Sequence, residues 1–456
     1  MDERVRRLRR FFTAHPARTV VVAFAVAVLA GTGLLALPVA ASHGGATDFV
    51  TSLFTSTSAV CVTGLAVVDT GSHWSRFGEG VILGLVQMGG FGIMTMASLL
   101  ALLVSGKLRL RMQLTAQAET KSLGIGETRR VLLGVAGTTA VVELTVAAVL
   151  ALRFGLHYDR PPGEAAYHGL FNAVSAFNNA GFGLYPTNLT PYQHDHWVTL
   201  PVAAAVVLGG LGFPVILEVL RHRGRRRRTG RRSWSLHTRL TLFTTALLLA
   251  VGTAVICLLE WSNDGTLGPL DTRDKLLNGF FTSAMTRTAG FNTIDTGALE
   301  PATLLFTCML MFIGGSSAGT AGGIKITTFA VLAAAIVAEV RGERQSVIMG
   351  RRLAPHVLRQ ALTVALLGVG LVIGGTMVLL TLTDEAFDAV LFEAVSAFGT
   401  VGLSTGITPD LSTSARLVLI LLMFVGRLGP VTLVSALALR ERTRRYQLPE
   451  ERPIIG

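Results

Sequence analysis

The stretch Gly314-Gly315-Ser316-Ser317-Ala318-Gly319-Thr320-Ala321-Gly322-Gly323-Ile324-Lys325-Ile326-Thr327-Thr328 interrupts an otherwise apolar run from Leu304 to Val340. Five of its fifteen residues are Gly, two are Ser and one is Lys. Glycine destabilises a helix interior by about 1 kcal/mol per residue. A helix long enough to cross a bilayer is therefore expected to break in its middle here. Irregular backbone at membrane depth persists only where protein buries it or where it lines a water-filled cavity. The stretch accordingly marks a polar passage. A Gly-rich helix-packing surface would account for the glycines but not for the Ser, Thr and Lys among them.

The rest of the composition agrees. Of 456 residues, 50% are hydrophobic and 15% charged, against roughly 25% charged in soluble domains. The expected class is an all-α polytopic membrane protein. Cys61, Cys257 and Cys308 have no metal-like spacing and do not form a disulfide framework. The formal charge of +12 is concentrated: 31 of the 40 Lys and Arg lie in 1–18, 105–130, 221–239, 341–359 and 440–452. By the positive-inside rule these five segments are cytoplasmic, so both termini are expected inside the cell membrane. The run Arg225 to Arg232 is suited to anionic lipid headgroups. No aromatic-rich binding fold accompanies it, so no nucleic-acid partner is expected.

Between the five basic segments lie four stretches of the same internal order. Each has an outgoing apolar helix (19–37, 131–152, 240–259, 357–382), a short segment (48–59, 167–177, 275–285, 385–398), a glycine loop and a returning apolar helix (78–104, 196–220, 303–340, 415–439). About 20 residues suffice for one crossing, so the expectation is eight transmembrane helices in four tandem helix–pore loop–helix repeats around a central pore. The divisions are 1–104, 105–222, 223–340 with the broken second helix, 341–445, and a tail at 446–456. The loops read Val62-Thr63-Gly64, Asn179-Ala180-Gly181, Thr288-Ala289-Gly290 and Thr400-Val401-Gly402, each followed by Leu or Phe. Their glycines are 117, 109 and 112 residues apart, and a regular internal period is read before any fold is named.

A half-membrane helix followed by an extended strand presents backbone carbonyls to an axis, and four such strands form a ring that replaces the hydration shell of K⁺. The twelve loop residues just named are the candidate ion ligands. Glycine is needed where the backbone turns left-handed or where a side chain would fill the axis. The short helices point their negative ends inward. Asp48, Asp384, Glu385 and Asp388 are candidates for drawing cations to the outer mouth. Arg287 is read as a prop for the third loop, and Glu143, in mid-helix, as a partner of a neighbouring helix.

These loops, together with Gln87 to Thr95 (QMGGFGIMT), Ser283 to Asn292 (SAMTRTAGFN), Gly314 to Thr328 and Gly426 to Pro430 (GRLGP), resemble the Trk/Ktr/HKT superfamily of potassium transporters over nearly the whole chain. Trk-type members usually carry two further N-terminal helices, so the resemblance is to the Ktr-type membrane subunit. It implies that 314–323 and Lys325 form an intramembrane gate below the filter, with Arg427 beside it. It implies K⁺ as the transported ion, because plant relatives that prefer Na⁺ carry Ser where this chain has Gly64. Na⁺ is the candidate coupling ion, and no organic cofactor is implied. The implied partners are membrane lipid, a second copy in a homodimer, and a cytoplasmic KtrA-like nucleotide-binding ring, with Tyr446 to Gly456 near the dimer interface. Lys325 reads equally as a side chain snorkelling to the cytosol. The competing classes are a secondary transporter of another small solute, Na⁺-selective uptake and a membrane enzyme. No HExxH, paired carboxylate or Ser-His-Asp set supports the last.

Overall fold

A computed structural model describes residues 16–92, 95, 128–225, 234–317, 319–343 and 345–429. The tail at 446–456, Ala318 and most of the basic segments 1–18 and 105–130 and of the run Arg225 to Arg232 lie outside the described residues. One order of elements recurs along the chain. Long apolar helices α1 (Pro16–Leu35), α4 (Thr128–His157), α8 (Leu236–Glu260) and α12 (Pro355–Leu380) each precede a short one: α2 (Phe49–Cys61), α5 (Pro162–Phe177), α9 (Thr272–Met285) and α13 (Phe387–Gly399). Helices α3 (Arg76–Phe91), α6 (His196–Leu211), α10 (Pro301–Phe312) and α14 (Thr413–Leu428) return from the four loops. Two further helices, α7 (Phe213–Arg225) and α11 (Ile326–Val340), come after α6 and α10, and a small antiparallel hairpin pairs Val347–Ile348 with Arg351–Arg352.

The long and short helices occupy opposite environments for a readable reason. α1, α4, α8 and α12 are long and apolar enough to cross a membrane, and they leave large apolar side chains such as Leu144 and Leu366 facing outward. Water would penalise such a surface, whereas lipid tails are as apolar as Leu itself. α2 and α13 are instead buried almost all round. Two serines of the short helices bond to the backbone of a neighbouring long helix. Ser56 donates to the Val28 carbonyl at 2.7 Å, and Ser283 of α9 donates to the Leu249 carbonyl at 3.1 Å. In both places a glycine of the long helix, Gly31 or Gly252, leaves room where a Cβ would run into the serine hydroxyl.

The returning helices differ from the sequence expectation. Residues 196–220 were expected as one helix, but α6 and α7 meet at a bend of 99°. α3 and α14 stop at Phe91 and Leu428, short of the expected 104 and 439; most residues beyond these two stops lie outside the described residues. The three breaks have one cause. Gly92, Gly212 and Gly429 hold φ of 80°, 84° and 82°, a left-handed conformation incompatible with a continuing helix. The break expected between 314 and 328 is present, and each of the other three returning helices ends at a glycine of positive φ.

Three further glycines bring the ends of these returning helices against the short helices. A Cβ on Gly89, Gly209 or Gly426 would overlap the carbonyl oxygen of Val60, Phe177 or Phe398, which stand four residues before the loop glycines 64, 181 and 402. The returning helix of each of these repeats thus presses directly on the end of its own short helix. Gly426→Ala is expected to lower stability by roughly 1–3 kcal/mol through overpacking. Gly137→Ala, in α4 with open space around it, is expected to leave stability unchanged or raise it, by up to about 1 kcal/mol. Thermal unfolding of the purified proteins in detergent separates the two outcomes.

Candidate functional site: a ring of four loops over a re-entrant segment

Each loop carries two positive-φ residues spaced two apart: Val62 (57°) and Gly64 (91°), Asn179 (60°) and Gly181 (71°), Thr288 (66°) and Gly290 (70°), Thr400 (50°) and Gly402 (90°). The residues between them, Thr63, Ala180, Ala289 and Val401, have negative φ. Alternating handedness turns successive peptide units so that N–H groups gather on one side and carbonyls on the other. The N–H side faces back to the short helices. Thr63, Ala180, Ala289 and Val401 donate to the carbonyls of Ser58, Ser175, Met285 and Ser396 at 2.8, 2.7, 3.1 and 2.9 Å. Gly64 and Gly402 donate to the hydroxyls of Ser58 and Ser396 at 3.0 and 3.1 Å. These N–H groups are thereby taken up by the short helices.

The glycines close the ring. A Cβ on Gly181 would lie 2.6 Å from the Ala289 carbonyl oxygen, and one on Gly290 2.6 Å from that of Val401. A Cβ on Gly402 would overlap the Thr63 oxygen, and one on Gly64 the Ala180 oxygen. The loops therefore succeed one another around the axis in chain order, first to second, third, fourth and back to the first. All twelve sequence-predicted loop residues are brought together. Val62, Thr288 and Thr400 are β-branched residues in left-handed backbone, which costs on the order of 1–3 kcal/mol each and survives where the surroundings enforce it.

Directly against this ring lies the segment between α10 and α11. Its neck is pinned by a parallel pairing of Ile313 with Ile324, with Gly314 N–H donating to the Ile324 carbonyl at 2.9 Å and Ile326 N–H to that of Gly315 at 3.0 Å. Ser316 N–H donates to the Gly210 carbonyl at 2.9 Å, and the Ser317 hydroxyl lies 3.4 Å from that of Thr327. Gly319 packs on the Gly209 and Gly210 carbonyls, Gly322 on the Thr400 side chain, and Gly323 on the Gly399 backbone. Thr320 and Ala321 complete the described tip. Arg427 donates to the carbonyls of Thr320 and of Gly89, so it joins α14, the segment and α3. Lys325 donates to the Ala321 carbonyl at 2.6 Å, a bond within its own segment.

Two buried carboxylates, Glu143 and Glu393, bear on this region without having been assigned to it by sequence. Glu143 meets the Asn178 amide at 3.0 Å and that of Gln87 at 3.4 Å, and Asn178 also donates to Gln87 at 2.8 Å. The expected helix partner of Glu143 thus includes the residue that precedes Asn179. Glu393, fully buried in α13, accepts from the Ser404 hydroxyl, from Thr405 N–H at 3.2 Å and from the Thr408 hydroxyl at 3.0 Å. A lone Glu in the apolar run FDAVLFEAVSAFG was the available signal. Arg287 is buried and its carbonyl accepts from the Asn179 amide at 3.2 Å. Asp48, expected at the outer mouth, caps α2 by accepting from Val50 and Thr51 N–H.

The TrkH cation transport protein model matches residues 9–442. The chain belongs to this family. Among its relatives, the Ktr system potassium uptake protein B of Bacillus subtilis is 39% identical over 440 residues, covering 94% of this chain and 95% of the relative. The potassium/sodium uptake protein NtpJ of Enterococcus hirae is 33% identical, covering 100% and 99%. The crystal structure of the potassium transporter TrkH from Vibrio parahaemolyticus superposes with a TM-score of 0.69 at 18% identity, covering 92% of this chain and 84% of that one; this likeness concerns the fold. Members of the TrkH family are transporters, and the apolar helices make this one a multi-pass membrane protein.

In this TrkH-family chain Glu393 anchors the irregular stretch that leaves the fourth loop. Glu393→Ala removes the acceptor of three donors, and each buried donor left unpaired costs about 1–3 kcal/mol. The variant is expected to unfold at lower temperature than the native chain, with Glu393→Gln between the two, as read by thermal unfolding in detergent.

Proposed function

We propose that this protein takes up K⁺ across the cell membrane, with Val62, Thr63, Gly64, Asn179, Ala180, Gly181, Thr288, Ala289, Gly290, Thr400, Val401 and Gly402 lending backbone carbonyls to the dehydrated ion. The observation that carries this reading is the closed circuit of backbone contacts among the four glycines. Rings of carbonyls are the means by which a protein replaces the water around K⁺, and alternating φ aims carbonyls at a common axis. The names of the relatives, potassium uptake in one and potassium/sodium uptake in another, support K⁺ as the transported ion and Na⁺ as the coupling ion.

The segment from Gly314 to Gly323 with Lys325 acts as the gate. Its tip lies against the ring, and Arg427 fastens it to two returning helices. A guanidinium and an ammonium near the ion path raise the local barrier to a cation, so displacement of the segment opens the path. The chain divides into four pore repeats at 1–104, 105–222, 223–340 and 341–445 and a tail, with both termini in the cytoplasm. It works as a homodimer in membrane lipid, regulated by a cytoplasmic KtrA-like nucleotide-binding ring. The relative named as a component of a Ktr system supports the existence of partner subunits.

The test is K⁺-limited growth of a bacterium lacking its own K⁺ uptake, with and without co-expression of such a ring. The native chain is expected to restore growth. Gly290→Asp, whose side chain would intrude on the Val401 carbonyl from a backbone at φ 70°, is expected to abolish rescue while still reaching the membrane. Equal rescue by both would keep K⁺ uptake and exclude the ring as the ion path.

A further inference from the structure

Thr320 stands at the tip of the re-entrant segment, 1% exposed, and each of its polar groups engages a different part of the molecule. Its N–H donates to the Gly209 carbonyl on α6 at 3.3 Å. Its carbonyl accepts from Arg427 on α14. Its hydroxyl donates to Asn179 Oδ1 at 2.7 Å, with the Phe177 carbonyl 3.4 Å away. The neck of the segment is held by its own pairing, so these bonds fasten the tip.

The partner of that hydroxyl lies within the ring. Asn179 is 1% exposed and is the left-handed residue of the second loop at φ 60°. Its Nδ2 donates to the Arg287 carbonyl in the third loop at 3.2 Å. One amide therefore joins the second loop, the third loop and the tip of the segment below them. The equivalent positions make no such link. Val62 has no polar side-chain atom, and the hydroxyls of Thr288 and Thr400 have no hydrogen-bond partner. Asn179 is also held from behind, because the preceding Asn178 is fixed by Gln87 and Glu143.

We propose that the Thr320–Asn179 hydrogen bond couples the position of the re-entrant segment to the geometry of the ring, so that freeing the tip changes which ion the ring prefers as well as how fast ions pass. The inference rests on the reading of the segment as the gate. Withdrawal of Thr320 removes the donor to Asn179 Oδ1. The amide then reorients, and its hold on the Arg287 carbonyl, hence the spacing of the second and third loops, changes with it. Coupling of this kind is reciprocal in binding free energy: an ion that fits the ring as it stands also favours the seated segment. Thr320 acts through Asn179, which makes it a positioning residue.

The experiment uses the full chain in proteoliposomes, with tracer Rb⁺ uptake measured as an initial rate and ion preference as the ratio of the Na⁺ and K⁺ concentrations that halve it. Thr320→Val keeps the shape and removes the hydroxyl, whereas Thr320→Ser keeps the hydroxyl. The expected result is that T320V takes up Rb⁺ faster and lowers the preference for K⁺ over Na⁺ by at least about threefold, near the low end of what one buried hydrogen bond is worth. T320S is expected to keep the native rate and preference. Should Thr320→Val fail to yield protein that elutes as the native chain does, Thr320→Ala lacks the same hydroxyl with less bulk and is read in the same way. A faster rate with unchanged preference would overturn the coupling and leave the gate standing. An unchanged rate, whatever the preference, would overturn the gate and the coupling with it.

Discussion

Four glycines at 64, 181, 290 and 402 approach the backbone of the next loop so closely that no Cβ fits at any of them, and the rest of the molecule is arranged around that approach. A ring of this width requires each short helix to end at the same depth. That in turn requires the returning helices to press on the helix ends, which Gly89, Gly209 and Gly426 permit. The long helices then need only enclose this assembly and offer lipid an apolar face. The strain of Val62, Thr288 and Thr400 at positive φ is borne by N–H bonds to the short helices, so the conformation is imposed from outside the axis.

The segment between α10 and α11 is fastened in two different ways. Its neck is backbone paired with backbone, whereas its tip is held by one backbone bond to Gly209 and by the side chains of Arg427 and Asn179. Side-chain bonds of about 1 kcal/mol each can be broken one at a time, unlike a helix ladder. A segment so fastened can stay attached at its base while its tip moves. The asymmetry of the ring has the same root: four loops of equal backbone shape are backed by Cys61, Asn178, Arg287 and Gly399, and only the second extends a polar side chain to both a neighbouring loop and the tip.

Much of this was legible in the chain alone. A low charged fraction, five basic clusters and four recurring glycine loops lead to a membrane protein of repeated units, because the bilayer penalises charge and unpaired backbone strongly enough to write itself into composition. The break at 314–328 was legible for the same reason. The equivalent breaks at Gly92, Gly212 and Gly429 were not separated from ordinary helical glycine, since a lone Gly is also a common packing residue between membrane helices. Their shared pattern, GGFG, GGLG and GRLG, becomes meaningful once φ is known.

The sequence by itself determined the class of the protein, the recurrence of its units and the twelve loop residues, because hydropathy, charge and glycine spacing are properties of local chain chemistry. The order of the loops around the axis, the left-handed backbone of Val62, Thr288 and Thr400, the turning of Lys325 onto Ala321 and the bond from Thr320 to Asn179 were decided only by tertiary structure. The last of these links joins Thr320 and Asn179, 141 positions apart in the chain. A hydroxyl or an amide acquires its partner only when packing brings that partner within about 3 Å, and no local pattern encodes that distance.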